Sequence, residues 1–149
     1  MNSLGNPKLP HCKIDRSRRD LTVLICGHMS RDSRCGTLAP ILEAEFERHL
    51  PQLRHAIRDK FPNRFAQHHR EQIAVGSCSH IGGHAFAGNV VIYFPKRTWV
   101  KGWESGLAGK GIWYGRVEPR HVAGIIEQTI LQGKIIQELL RGVHDPAGT

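Results

Sequence analysis

Two pairs of residues have the types and spacing that suit metal chemistry. Cys26 and Cys35 are separated by eight residues, and His80 and His84 are separated by three. Thiolate sulfur and imidazole nitrogen are common protein ligands of zinc and of iron–sulfur clusters. Together the two pairs supply four ligands, which is a complete set for either kind of centre.

The histidine pair does not fit the helix of a zinc protease. Such a helix has the pattern His-Glu-x-x-His, whereas Ile81, Gly82 and Gly83 separate the histidines here. Each glycine disfavours a helix by about 1 kcal/mol relative to alanine, so this segment is predicted to bend. Glycines beside His84 would let the backbone approach an inorganic group closely. The ordinary alternative is a pair of polar loop histidines.

The cysteine pair is compatible with more than one centre. Structural zinc sites typically use shorter Cys-x2–4-Cys spacing, and the gap from Cys26 to Cys35 is wider. A Rieske 2Fe–2S cluster uses two cysteines and two histidines, but it takes one of each from both of its loops. Here one segment carries both cysteines and another carries both histidines. A thioredoxin-type dithiol is disfavoured because the chain has no Cys-x-x-Cys.

Two further cysteines are assigned no ligand role. Cys78 lies two residues before His80 and is a candidate to compete as a ligand, although a small packed thiol is the preferred interpretation. Cys12 lies in the polar N-terminal segment and is predicted to bind nothing.

The elements that position these residues follow from the apolar patterns. "LTVLIC" predicts a buried strand that ends at Cys26, and the polar segment from Gly27 to Gly36 predicts a loop. Thr37 is then expected to cap a helix with Pro40 in its first turn. Further predictions are a helix over 52–60, strands in "EQIAVGSC", "GNVVIYFP" and "GIWYGRV", and a helix that opens at Glu118-Pro119 and continues as an apolar pattern after Gly133 to Arg141.

This order of elements predicts an α/β fold of thioredoxin-like type, with a central mixed sheet flanked by helices. The expected organisation is a flexible basic tail over 1–19, one domain over 20–142 and a C-terminal tail over 143–149. A length of 149 residues suits one domain of this kind.

Composition narrows the function classes. The chain has no apolar run of about 18 residues and begins without a secretion signal, so it is expected to be intracellular and to have no membrane span. The net charge is +8, but the basic residues are scattered, which favours a solvated basic surface over a nucleic-acid site. Arg31, Arg34 and Arg116 are candidates for docking an acidic redox protein, and Trp113 and Tyr114 for shielding a cluster from water.

Four stretches carry a resemblance to a known family: "CGHMSRDSRCG", "SHIGGHAFAGNVVIYFP", "WYGRVEPRHV" and "GKIIQELLRG". Over roughly residues 20 to 142 the chain resembles the sucrase/ferredoxin-like family, and within it the fungal branch of actin-patches-distal and mitochondrial-inheritance proteins. The last two stretches look closer to the mitochondrial-inheritance members. The resemblance implies a thioredoxin-like ferredoxin domain with a 2Fe–2S cluster on Cys26, Cys35, His80 and His84. Members of this family usually carry a longer N-terminal region than this chain has.

The resemblance also implies a function. The expected protein is a one-electron carrier in cellular redox or thiol homeostasis, not an enzyme, in the mitochondrion or the cytoplasm. A flavoprotein reductase or another redox protein would supply the electron, and the acceptor and oligomeric state are not indicated. The alternatives left open are a zinc-stabilised Cys2His2 interaction module and a thiol-redox enzyme on the same scaffold.

Histidine ligation predicts a pH-dependent reduction potential. If the outer ring nitrogens of His80 and His84 reach solvent, reduction takes up a proton, and the potential falls by about 59 mV for each pH unit where one proton accompanies one electron. Voltammetry of the protein between about pH 6 and pH 9 measures this slope. A potential that stays constant over that range contradicts the prediction.

Overall fold

The fold is built on one mixed sheet. The structure, a computed structural model, describes residues 21–27, 33–60, 73–78, 88–95 and 107–145. Its five strands are β1 (Leu21–Cys26), β2 (Ile73–Cys78), β3 (Val90–Tyr93), β4 (Gly111–Tyr114) and β5 (Leu140–His144), in the order β2-β1-β3-β4-β5. β2 is parallel to β1, and the other neighbouring pairs are antiparallel. The predicted α/β class with a mixed central sheet is confirmed.

The first helix, α1, spans Ser33–Lys60 and corrects two predictions. It begins four residues before the expected cap at Thr37, and it continues through Pro51 into the segment predicted as a separate helix. A glycine or an exposed proline penalises a helix locally, but a buried stripe on α1 packs against the sheet and offsets that penalty. The stripe consists of Ala39, Leu42, Phe46 and Leu53.

The second helix, α2, covers residues 119–131 and changes type along its length. It starts as a 3-10 turn at Pro119–His121, has an α-helical turn at Val122–Gly124 and continues as a π-helix over Ile125–Leu131. The start at Glu118-Pro119 agrees with the prediction, because proline suits the first turn of a helix. The predicted inward face is also confirmed, since Val122, Ile125, Ile126 and Ile130 are all buried.

The C-terminal segment corrects a third prediction. The apolar pattern after Gly133 was expected to be helical, but Gly133 has a φ of +71°, which is typical of the residue that ends a helix. After a turn the chain forms β5, whose residues pair with β4. Val143 and His144, predicted to lie in a C-terminal tail, are therefore residues of the sheet.

The sheet has two faces with different coverings. Alternate side chains of a strand point to opposite faces, and Leu21, Val23 and Ile25 join the large core that includes residues of α1 and α2. The other face carries a smaller buried cluster, called here the second face: Leu24, Cys26, Cys78, Val91, Tyr93 and Trp113. The cysteines of β1 and β2 therefore lie on the side of the sheet opposite the two helices.

The buried hydroxyl of Tyr114 connects β4 to α2 and to the turn that precedes β5. The Tyr114 hydroxyl lies 2.7 Å from Thr129 Oγ1 of α2 and accepts a hydrogen bond from the Ile136 N–H at 3.0 Å.

Among the described helices, none is long and apolar enough to cross a membrane.

Candidate functional site

Cys26 is the one predicted ligand whose side chain the structure describes. It is the last residue of β1 and is 1% exposed. Its partner in the parallel pair is Cys78, the last residue of β2, which is 8% exposed. We call Cys26, Gly27 and Cys78 the cysteine edge, because they mark the point where both parallel strands end.

The other three predicted ligands are described only in part or not at all. Cys35 lies in the first turn of α1 and not in the predicted loop, and its side chain is outside the described part of the structure. His80 and His84 both lie outside the described residues. A common site for Cys26, Cys35, His80 and His84 therefore stays a prediction.

Asn89 holds the cysteine edge from the other side and was missed in the sequence. Its backbone carbonyl accepts a hydrogen bond from the Cys26 N–H at 2.9 Å. Its side-chain oxygen accepts a second one from Trp113 Nε1 at 3.1 Å, and the residue is fully buried. The sequence did carry a signal for this role, because an amide side chain directly precedes the apolar run "VVIYF". A polar residue that is buried beside such a run needs hydrogen-bond partners.

Gly88 fixes the position of Asn89. The Val117 N–H donates to the Gly88 carbonyl at 3.0 Å, and Gly88 has a φ of +77°. A Cβ at this position would lie 2.5 Å from the Val117 carbonyl oxygen and 2.7 Å from its nitrogen. Only glycine allows this approach of two backbones.

The strand end itself is closely packed. The Gly27 N–H donates to the Cys78 carbonyl at 3.0 Å, so the pairing of β1 and β2 extends one residue beyond Cys26. A Cβ on Gly27 would lie 3.3 Å from the Cβ atoms of both Ala39 and Ser77. The cysteine edge is therefore held against the start of α1 as well as against β3.

The positive charge of Arg141 lies above the ring of Trp113. The Arg141 guanidinium lies 5.1 Å from the centroid of the indole, a cation–π distance. Burial, and then the positive charge of Arg116, lower the pKa of Arg141. Arg116 is exposed and has a φ of 58°, which is uncommon for a residue with a side chain. Two arginine charges thus lie close together, one of them on the aromatic ring of the second face.

Two further observations concern the rest of the described chain. Within 21–27, 33–60, 73–78, 88–95 and 107–145, no group of three or more His, Cys, Asp or Glu side chains is placed to hold a metal ion. An apolar groove of about 270 Å³ lies between α1 and α2, lined by Leu53, Ile126 and Leu131 among others, and it contains no cysteine.

Replacing Asn89 with alanine is expected to lower the free energy of unfolding by about 1–3 kcal/mol, because Trp113 Nε1 would be left buried without its acceptor. Urea denaturation measures the loss. In the matched double variant Asn89→Ala with Trp113→Phe the donor is absent, so the combined loss should be smaller than the sum of the two single losses. Strictly additive losses would mean that the hydrogen bond contributes nothing.

Comparison with known proteins gives a family match over most of the chain. A family profile described as "Suc_Fer-like: Sucrase/ferredoxin-like" matches residues 3–142. This match begins inside the segment predicted as an N-terminal tail.

Several curated fungal proteins are similar to this chain. "Altered inheritance of mitochondria protein 32" of Clavispora lusitaniae is 43% identical over 141 residues, covering 89% of this chain and 41% of that protein. The protein of the same name from Debaryomyces hansenii is 44% identical over 133 residues, covering 87% and 39%. "Actin patches distal protein 1" of Saccharomyces cerevisiae is 33% identical over 123 residues, covering 82% and 33%. The chain thus spans about two fifths or less of the length of these relatives.

Proposed function

Because this chain belongs to the sucrase/ferredoxin-like family, we propose that it is a one-electron carrier with a 2Fe–2S cluster. Cys26, Cys35, His80 and His84 would hold the cluster, which supplies reversible uptake of one electron without bond-making on a substrate. The observation that supports this most directly is the position of Cys26 between two residues that flank the histidine segment. Cys78, two residues before His80, is its register partner, and Asn89, five residues after His84, accepts a hydrogen bond from its N–H.

Chain geometry limits how far the histidines lie from Cys26. Cys78 is in register with Cys26, and His80 follows it by two residues, which span at most about 7 Å. After His84 the chain reaches Asn89 within five residues, at most about 17 Å, and the Asn89 carbonyl is bonded to the Cys26 N–H. Both limits are compatible with His80 and His84 meeting an iron beside Cys26.

The position of Cys35 also suits a negatively charged thiolate ligand. The N-terminus of a helix carries a partial positive charge and unpaired N–H groups, which favour an anion. Cys35 is the third residue of the 28-residue α1, whose first turn has no acidic residue. The earlier start of the helix, which corrected the prediction, therefore supports the ligand role of Cys35.

The second face provides an apolar environment on one side of the proposed cluster. Leu24, Val91 and Trp113 share a buried cluster with Cys26. Apolar residues around a metal centre limit the access of water and influence its reduction potential. The charge of Arg141 above Trp113 would favour the reduced, more negative form.

We also propose a thioredoxin-like ferredoxin fold, a redox protein as partner and a mitochondrial role. The parallel β1-α1-β2 unit followed by the antiparallel strands β3 and β4 and by α2 supports a thioredoxin-like ferredoxin layer. We propose that the protein is not an enzyme and that a flavoprotein reductase or another redox protein docks on its basic surface, where Arg116 is exposed. The relatives' name, with its reference to mitochondria, supports a mitochondrial role.

The test is purification without oxygen, followed by visible spectroscopy and analysis of metal and sulfide. A red-brown protein with two irons and two acid-labile sulfides per chain is the expected result. A colourless protein with a single zinc would refute electron transfer and identify the Cys2His2 interaction module, because zinc is bound by the same ligands but has no redox chemistry.

Replacing His84 with cysteine is expected to keep a cluster but lower its potential, because a thiolate adds negative charge where a neutral imidazole was. Rieske centres with two histidine ligands lie at about −150 to +300 mV, and plant-type ferredoxins with four cysteines at about −400 mV. Protein-film voltammetry measures the shift. The control is His55→Cys, at an exposed position of α1, which should leave the potential unchanged. An unchanged potential in His84→Cys would exclude His84 as a ligand.

A further inference from the structure

Cys78 has no role in the proposed electron transfer, but it is in register with the proposed ligand Cys26. The two residues are Cα partners on adjacent parallel strands, and both belong to the second face. Two cysteines at matching positions on the same face of neighbouring strands bring their sulfur atoms to the same side of the sheet.

The backbone separation at this position is compatible with a disulfide. Neighbouring strands lie about 4.8 Å apart, and the Cα atoms of a disulfide are usually about 4.4–6.8 Å apart. The Gly27 N–H bonded to the Cys78 carbonyl keeps the two strands together directly beside the pair. The Cys26 N–H bonded to the Asn89 carbonyl holds β1 from the other side. These two hydrogen bonds therefore hold the backbones of both residues beside each other, at the usual spacing of neighbouring strands.

We propose that Cys78 forms a disulfide with Cys26 when the cluster is absent, so that the protein has an oxidised resting form unable to accept a cluster until it is reduced. This inference rests on the proposed function in one respect, the role of Cys26 as a cluster ligand. In the loaded protein the Cys26 thiolate would be bound to iron and Cys78 would be a buried neighbour.

The reaction is thiol–disulfide exchange with a small disulfide such as oxidised glutathione. Cys78 has the larger exposed fraction, 8% against 1% for Cys26, so its thiolate attacks first. The attack forms a mixed disulfide and releases one glutathione thiolate. The Cys26 thiolate then attacks the Cys78 sulfur, forms the Cys26–Cys78 bond and releases the second glutathione. The two cysteines lose two electrons and two protons in total, and one glutathione disulfide becomes two thiols.

The experiment counts and maps thiols in the full 149-residue chain after removal of metal with a chelator. Oxidised glutathione is added, remaining thiols are blocked with N-ethylmaleimide, and intact mass and peptide mapping follow. Of the four cysteines, two should escape alkylation, and the cross-linked peptides should contain Cys26 and Cys78. Subsequent addition of ferrous iron and sulfide should give no visible chromophore until a dithiol reductant is supplied.

Two kinds of outcome would overturn the proposal: alkylation of all four cysteines, or a cross-link between any pair other than Cys26 and Cys78. The matched variant Cys78→Ser should yield no cross-link to β2. The wild-type peptide map decides the question by itself if that variant folds poorly. Failure of the proposed function is read separately, from the iron and sulfide content of the protein before the chelator is added.

Discussion

Replacing Cys26 with serine is expected to remove iron and sulfide from the protein, whereas the same change at Cys78 is expected to leave both in place. Iron in a 2Fe–2S cluster prefers the soft thiolate ligand, which a serine hydroxyl does not replace. Metal and acid-labile sulfide per chain are measured after purification without oxygen. We expect near-complete loss in Cys26→Ser and at most a small loss in Cys78→Ser.

The two variants are matched because the positions differ in little else. Cys26 and Cys78 are register partners at the ends of parallel strands and pack in the same apolar cluster. Exchanging a buried thiol for a hydroxyl is expected to cost a similar amount of stability at either position, at most about 1–3 kcal/mol. Thermal unfolding of the metal-free variants checks that these costs are similar. Loss of iron in Cys78→Ser with retention in Cys26→Ser would identify Cys78 as the ligand. Retention of iron in both variants would show that neither cysteine is a ligand.

Replacing Gly88 with alanine is expected to lower the free energy of unfolding by about 3 kcal/mol. A left-handed φ costs a residue with a Cβ about 1–2 kcal/mol, and overpacking adds about 1–3 kcal/mol. The new Cβ would lie 2.5 Å and 2.7 Å from backbone atoms of Val117. Rotation of a side chain does not relieve a contact with backbone, so the strand start or the Val117 segment must move. Urea denaturation measures the loss.

The control for this change is Gly124→Ala. Gly124 is helical, with a φ of −65°, and a Cβ there would meet nothing within 4 Å. Alanine is favoured over glycine in a helix by about 1 kcal/mol, so this variant should be at least as stable as the wild type. Equal losses in Gly88→Ala and Gly124→Ala would contradict the argument from backbone geometry. Because Asn89 follows Gly88, Gly88→Ala should also weaken retention of the proposed cluster.

Four of the five strands, β1 to β4, were predictable because burial leaves a direct record in the sequence. "LTVLIC" and "GNVVIYF" have almost no polar residues, and a sheet strand buried on both faces requires that composition. The position of Cys26 at a strand end followed from the same pattern. Proline at the start of α2 was equally informative, because its fixed φ suits a first helical turn.

The errors arose where tertiary packing overrides local signals. Gly36, Pro40 and Pro51 each indicated a boundary, yet the buried stripe on α1 keeps one helix through all three. The apolar residues after Gly133 suit a helix or a strand, and their pairing with β4 decided for β5. Asn89 escaped notice because its two partners, Cys26 and Trp113, are distant in sequence.

The position of β1 in the sheet has a consequence for when the centre can be assembled. β1 lies between β2 and β3, whose residues come about 50 and 70 positions later in the chain, and such non-local pairings form slowly. While the chain is being synthesised, Cys26 and Cys35 leave the ribosome long before Cys78 and Asn89 are available to hold the strand end. Loading of the proposed cluster on the folded site would therefore have to follow the arrival of β3, and an emerging chain would present Cys26 and Cys35 without the framework that holds the end of β1.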